Sequence, residues 1–177
     1  MHIEQNGLCI RNAGAGDCEQ LAAWWNDGRV MAHAGFPNGL GTTPERIREQ
    51  IAPDSDDTRR RLIIEYQGQA IGETSYTNIG GGSAQIGIKI CEEVFQEKGL
   101  GRVILSLLIR QLFANGFTKI VLDTNLNNRR AQHVYELLGF EKLRVNIDAW
   151  TDQLGQPQSF IDYELTPEHF RDFSAQK

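Results

Sequence analysis

A mixed α/β (α+β) fold, with one mostly antiparallel central sheet and helices on both faces, is what this sequence predicts. Three observations carry it. Residues 62–91 read as three short strands joined by tight turns, an antiparallel meander. Residues 85–123 read as strand, helix, strand, and a crossover of that kind forces a parallel pair into the same sheet. Apolar residues at helical spacing recur before and after the meander, so helices are available for both faces.

In chain order, Leu8 to Arg11 is a short first strand, and Asp17 is placed as the N-cap of a helix carrying Leu21, Trp24 and Trp25. Gly35 to Gly41 is a loop. Thr43 and Pro44 have the cap and first-turn chemistry of a second helix, ending near Pro53. Asp54 to Arg61 is a charged, solvated loop. Leu62–Tyr66, Ala70–Thr77 and Gln85–Cys91 are the meander, with Ile86, Ile88 and Ile90 alternating on one face. From Gly99, the residues Leu100, Val103, Ile104, Leu107, Leu108 and Leu112 mark one buried helical face, which Asn115-Gly116 terminates. Lys119–Asp123 is a strand. Asn128 caps a helix carrying Ala131, Val134, Tyr135 and Leu138 and stopped by Gly139. Phe140–Asp148 and Ser159–Leu165 are the last strands, joined by a loop from Ala149 to Gln158.

The chain has 177 residues, 40% hydrophobic and 23% charged, which suits a single domain over 1–177 with a real core. Its formal net charge of -5 argues against a nucleic-acid partner and suits a cationic substrate such as an amine. Apolar runs are far shorter than the roughly 18 residues of a membrane span, and Met1–Arg11 has no basic-then-apolar secretory pattern. A cytoplasmic protein with no membrane partner is expected. Cys9, Cys18 and Cys91 are scattered, as are His2, His33, His133 and His169, so no metal site is expected.

The segment Gln96-Glu97-Lys98-Gly99-Leu100-Gly101 lies between a strand and a helix. Glycines there let main-chain N–H groups converge on one point at a helix N-terminus, which attracts phosphate. Lys98 and Arg102 add positive charge. The spacing is neither a P-loop nor a three-glycine dinucleotide fingerprint.

This segment resembles the acetyl-CoA-binding core of the GNAT superfamily of N-acetyltransferases, whose signature Gln/Arg-x-x-Gly-x-Gly/Ala residues 96–101 match. A second signature matches Asn128, Ala131, Tyr135, Gly139 and Phe140. The resemblance is strong over 84–142, the implied cofactor core. It implies an acceptor site built from 17–52 and 144–165. Trp25-Asn26-Asp27, and Trp150 through Gly155 to Asp162-Tyr163, look like the branch that includes ribosomal-protein N-terminal acetyltransferases.

The resemblance implies direct transfer of acetyl from acetyl-CoA to a primary amine in a ternary complex. The amides of 97–102 would hold the pyrophosphate, with Gln96, Glu97, Lys98, Gly99, Leu100, Gly101 and Arg102 forming the cradle. Asn128 would add a cofactor hydrogen bond. The strand before the loop would splay from its neighbour, so that the backbone of Ile90 and Cys91 lines the pantetheine arm and an N–H there serves the developing oxyanion. The thiol of Cys91 has no role in direct transfer. Tyr135 is the implied general acid; the bland alternative is a core tyrosine. Two carboxylates compete as base: Asp123, where a Glu stands in ribosomal-protein acetyltransferases, and Glu73 on the middle meander strand. Water alone is the third option. Gln85 stands where histone-type members carry a Glu and cannot take a proton. Arg129 and Arg130 are solvated or near the adenosine 3'-phosphate, and His133 is a surface residue. Trp24, Trp25, Phe36 and Trp150 are candidates for the acceptor wall.

The acceptor is left open among a protein N-terminus, a polyamine, an aminoglycoside and another small amine. The rival reading is a non-catalytic acyl-CoA-binding or sensing module; a third is a nucleotide-phosphate binder. Many members of this superfamily dimerise, and a homodimer is compatible with this sequence, which fixes no state.

Overall fold

The strand expected at Leu8–Arg11 is the second arm of a hairpin. β1 (His2–Gln5) and β2 (Leu8–Asn12) pair antiparallel, with Gln5 opposite Leu8. Asn6 and Gly7 have φ of 52° and 80°, the left-handed pair that a two-residue hairpin turn needs. This computed structural model describes residues 1–175.

Helices α1 (Cys18–Asn26), α2 (Gly28–Met31) and α3 (Pro44–Ile51) follow. Thr43 caps α3 as expected, accepting from the Arg46 amide. Asp17 stands at the cap position of α1 but does not cap it with its side chain. A 3-10 turn, Ala15–Asp17, precedes α1, and the carboxylate accepts instead from the Gly14 amide (2.7 Å) and from Arg11 (2.8 and 2.9 Å). A charge-assisted pair outcompetes a simple cap.

The meander is longer than its apolar residues suggest: β3 (Arg59–Tyr66), β4 (Gln69–Gly80) and β5 (Ser83–Ile90). Part of the expected charged loop enters β3 because its charges find partners. Arg60 meets Asp56 at 2.8 Å, and Arg61 donates to the Gln50 carbonyl at 2.7 Å. Then come α4 (Leu100–Ala114), β6 (Lys119–Asn125), α5 (Arg129–Leu138), β7 (Glu141–Thr151) and β8 (Pro157–Leu165). Asn128 accepts from the Ala131 amide at 3.2 Å, the expected cap of α5.

The eight strands lie in the order β1-β2-β3-β4-β5-β6-β8-β7. Among the described residues only β5 and β6 run parallel; every other neighbouring pair is antiparallel. Helices cover both faces, as expected. On one face α4 buries Ile104, Leu105, Leu107, Leu108, Ile109 and Leu112, and α5 adds Tyr135 and Leu138, against Ile64, Ile86, Ile120 and Leu122. Each such side chain contributes about 1.5–3 kcal/mol relative to exposure. On the other face α1 and α3 pack Leu21, Trp24, Ile47 and Ile51 on Ile63. Among the described residues no helix is long and apolar enough to cross a membrane.

Candidate active site

The parallel pairing of β5 with β6 stops early. Ser83, Ala84 and Gln85 face Lys119, Ile120 and Val121, and there the pairing ends. Beyond it β5 stays with β4 to Ile90, while β6 stays with β8 to Asn125. The central sheet therefore splits. The Cys91 amide donates to the Ile71 carbonyl at 2.9 Å. Main-chain groups alternate along a strand, so Ile88 and Ile90 turn theirs toward β6. Leu126 N–H donates to Ser159 O at 2.8 Å, which by the same alternation turns the main chain of Asp123 and Asn125 toward β5. Two rows of main-chain groups thus face a gap with no strand between them. Of the two residues expected to line it, Ile90 presents its N–H to the gap, whereas the Cys91 amide is committed to Ile71 on the far side. Cys91 is 8% exposed, and burial of its thiol, then the charge of Glu73, pushes the pKa up.

At the open end of the split lies the glycine-bearing loop. Gln96 Nε2 donates to the Ile90 carbonyl at 2.9 Å, tying the loop to β5. Glu97 (φ 59°) and Gly99 (φ 75°) are both left-handed. Gly99 is the N-cap of α4, and Leu100, Gly101 and Arg102 form its first turn. The N–H groups of a helix's first turn have no acceptor within the helix, and left-handed residues just before it curl the preceding amides toward the same point. A glycine suits position 99 because a side chain is strained at that φ. The Glu97 carboxylate would oppose an anion, but it is turned onto the Arg130 guanidinium at the start of α5. Lys98 Nζ sits 5.7 Å from the Phe95 ring centroid, and the Arg102 guanidinium 5.4 Å from that of Phe173. Arg129 and His133 are exposed. The cradle fits a diphosphate: convergent amides, a helix N-terminus and two basic side chains.

Tyr135 and Asp123 approach the split from opposite faces. Tyr135 belongs to the α4/α5 side, its ring edge-to-face with Phe140 (5.8 Å) and Tyr163 (5.7 Å). Burial, then the charge of Asp123, pushes its pKa up to about 12. No hydrogen bond within the described residues holds its hydroxyl, yet it is not sealed, because Arg61 Nε is the single buried side-chain polar atom there without a partner. Asp123 is exposed on the α1/α3 side, where Gln85 Nε2 donates to it at 3.4 Å. Although the residue as a whole is exposed, surrounding protein shields its carboxyl from water, and this desolvation, then the charge of Asp162 directly opposite on β8, pushes its pKa above the ordinary carboxylate value against the Gln85 bond. Glu73 lies on the same face of β4 but is engaged. Its Oε1 accepts from Trp25 Nε1 at 2.8 Å and from Lys89 Nζ at 3.2 Å, and the residue is 9% exposed.

Asp162 is a site residue that the sequence did not single out for chemistry. Arg144 (3.2 Å) and Asn146 (3.0 Å) hold its carboxylate beside Asp123. Among the aromatic candidates, Trp24 is buried and donates to Glu92 at 2.8 Å, Trp25 braces Glu73, Phe36 is exposed, and the Trp150 ring lies against Gly35. The turn before β8 is clipped over this side: Gln153 N–H donates to Gly35 O at 3.0 Å, and Gln153 Nε2 to Gly39 O at 3.1 Å. Segments 17–52 and 144–165 thus meet.

The sequence profile of the GNAT acetyltransferase domain matches residues 7–141. The fold is similar to a spermidine N-acetyltransferase from Vibrio cholerae, solved with CoA and spermine (TM-score 0.80, 21% identity, 93% of this chain and 98% of that one). It is similar to a ribosomal-protein-S5-alanine acetyltransferase from Vibrio fischeri (0.81, 17%, 97% and 99%). A third similar structure is RimL, a ribosomal L7/L12 alpha-N-protein acetyltransferase in complex with coenzyme A (0.83, 18%, 94% and 98%). With a split sheet, a first-turn anion cradle and that match over most of its length, this chain belongs to the GNAT acetyltransferase family.

Proposed function

We propose that this protein transfers the acetyl group of acetyl-CoA to a primary amine by direct attack in a ternary complex. The observation that carries this reading is the split between β5 and β6, opening onto the cradle at the start of α4. Bound there, acetyl-CoA supplies an activated acyl thioester. The amides of 97–102, with Lys98 and Arg102, hold its diphosphate, and Asn128 caps α5, whose Arg130 meets Glu97 of the same loop. The Ile90 N–H, aimed into the gap, is the donor for charge developing on the acyl oxygen; one such donor is worth about 3 kcal/mol.

An alkyl ammonium has a pKa of about 10.4 and must lose a proton before it attacks. Asp123 is the base. Of the two carboxylates it is the exposed one, and its raised pKa makes it a better proton acceptor than an ordinary aspartate. Glu73 positions Trp25 and Lys89 instead. Tyr135, neutral well above physiological pH, gives a proton to the departing thiolate from the other face. Asp123 and Asp162 make the acceptor side anionic, which suits a cationic amine on a small molecule or a protein N-terminus; similar structures include enzymes named for spermidine and for ribosomal proteins. Nothing in this reading requires a second copy of the chain.

A thiol-release assay across polyamines, aminoglycosides, other small amines and peptide N-termini tests it. Turnover with at least one class, strongly reduced but measurable in Asp123→Asn and reduced in Tyr135→Phe, is expected. Saturable coenzyme A binding with no thiol release from any class would leave the acyl-CoA-binding module. Binding of ATP with no heat from coenzyme A would overturn both.

A further inference from the structure

We propose that the β1–β2 hairpin carries a transition-metal site of zinc type formed by His2, Glu4 and Cys9. His2 and Glu4 are two apart on β1 and so share a face. Cys9 is the cross-strand partner of Glu4. The hairpin thereby gathers an imidazole, a carboxylate and a thiol whose ligand atoms all lie within 4.8 Å of one another. His2 Nε2 and Glu4 Oε1 are already 3.1 Å apart. A tetrahedral zinc with bonds of about 2.0–2.3 Å holds its ligand atoms about 3.3–3.8 Å apart. The Cys9 sulfur need close by only about 1 Å, within reach of side-chain rotation.

The donor set selects the metal. One nitrogen, one sulfur and one oxygen suit a borderline-soft ion, whereas magnesium and calcium want oxygen alone. Three protein ligands leave a fourth position to water, and His2 and Glu4, 61% and 69% exposed, leave the entry open. The surroundings are anionic. Glu65 is the β3 partner of Cys9, and the nearby cation, Arg11, is drawn off by Asp17 and Glu65, each at 2.8 Å. The site lies three strands away from β5 at the far edge of the sheet and is independent of the acyl-transfer reading. β1 is an edge strand, and a metal tied to both arms clamps it to β2.

The test uses the full chain, without a histidine tag and freed of metal by a chelator, titrated with Zn²⁺, Co²⁺ and Mg²⁺. One equivalent of zinc is expected to bind and to slow hydrogen exchange of the β1 and β2 amides, with no effect of magnesium. Cobalt is expected to give a thiolate charge-transfer absorption, which reports on Cys9 because Cys18 and Cys91 are buried at 0% and 8% exposure. The absorption disappears in Cys9→Ser, and zinc affinity falls at least tenfold in His2→Gln, while both metal-free variants keep the parent's melting temperature. A cobalt–thiolate band that survives in Cys9→Ser, or zinc binding that does not saturate at micromolar concentrations, overturns the assignment.

Discussion

Gly72 is the position where an added methyl group is expected to change the width of the split without touching any reactant. It sits mid-sheet on β4, opposite Ile64 on β3 and Ile90 on β5. A methyl group added there would lie 2.1 Å from the Lys89 carbonyl oxygen and 3.0 Å from the Ile90 Cα. Carbon needs about 3.5 Å from a non-bonded heavy atom, so Gly72→Ala forces β4 and β5 apart by about 1 Å or more. The atoms that must move are main chain, and they carry the Ile90 N–H that faces the gap. Overpacking of this kind costs about 1–3 kcal/mol, and in a chain of this size each kcal/mol lowers the melting temperature by about 2–4 °C. A reacting group misplaced by about 1 Å can cost about 10²-fold in rate. Calorimetry and steady-state thiol release on Gly72→Ala check both figures. Gly87→Ala on β5 is the matched stability control, because its methyl would meet nothing nearer than Ser75 Oγ at 3.7 Å. If Gly72→Ala melts and turns over like the parent, the contact does not set the gap and the reasoning fails.

Removing the Tyr135 hydroxyl with Phe is expected to lower kcat by about 10²-fold or more while leaving coenzyme A affinity unchanged, measured by thiol release and calorimetry. Because that hydroxyl titrates only near about 12, the parent's rate should not fall on the alkaline side up to pH 10. Asp162→Asn removes a charge that raises the Asp123 pKa; the acid limb of the pH–rate profile, which reports protonation of the base, then moves to lower pH. Asp123→Asn abolishes that limb, and a limb left in place there would reassign the base. Asn128→Ala removes the α5 cap, with a stability loss of about 0.5–2 kcal/mol by denaturant unfolding.

What could be read in the chain was what depends on near neighbours. The parallel pair, the cap at Asn128, the Thr43-Pro44 helix start and the spacing of residues 96–101 are local patterns, and the structure places them as expected. The β1–β2 hairpin had its signal in Asn6-Gly7, but His2 to Gln5 carry one apolar residue and look like a solvated tail until the partner strand is known. Missing β1 also hid the meeting of His2, Glu4 and Cys9, whose sequence spacing fits no ligand pattern. The amide of Cys91 and that of Ile90 differ only in parity, and parity is set by the register with β4, which the sequence leaves unstated. Asp162 reaches Asp123 because β8, not the intervening β7, pairs with β6. Glu73 is engaged by Trp25, 48 positions before it.

The two groups we propose as acid and base stand on opposite faces of the sheet for a physical reason. An acid that must stay protonated gains from burial, which disfavours its anion; Tyr135 on the packed α4/α5 side meets that need. A base must exchange protons with solvent, and its ionised form is too costly to hold in a dry core without a fixed partner; Asp123 on the exposed side meets this one. At the split the strands are unpaired, so groups from both faces can reach one point. Tyr135 also feels Asp123, whose charge helps to raise the Tyr135 pKa. An ionised Asp123 therefore keeps Tyr135 protonated. Once Asp123 takes up a proton its charge is gone, and the Tyr135 hydroxyl becomes a slightly stronger acid when the leaving thiolate calls for one. In the proposed reaction, this effect of Asp123 on Tyr135 favours base first and acid second.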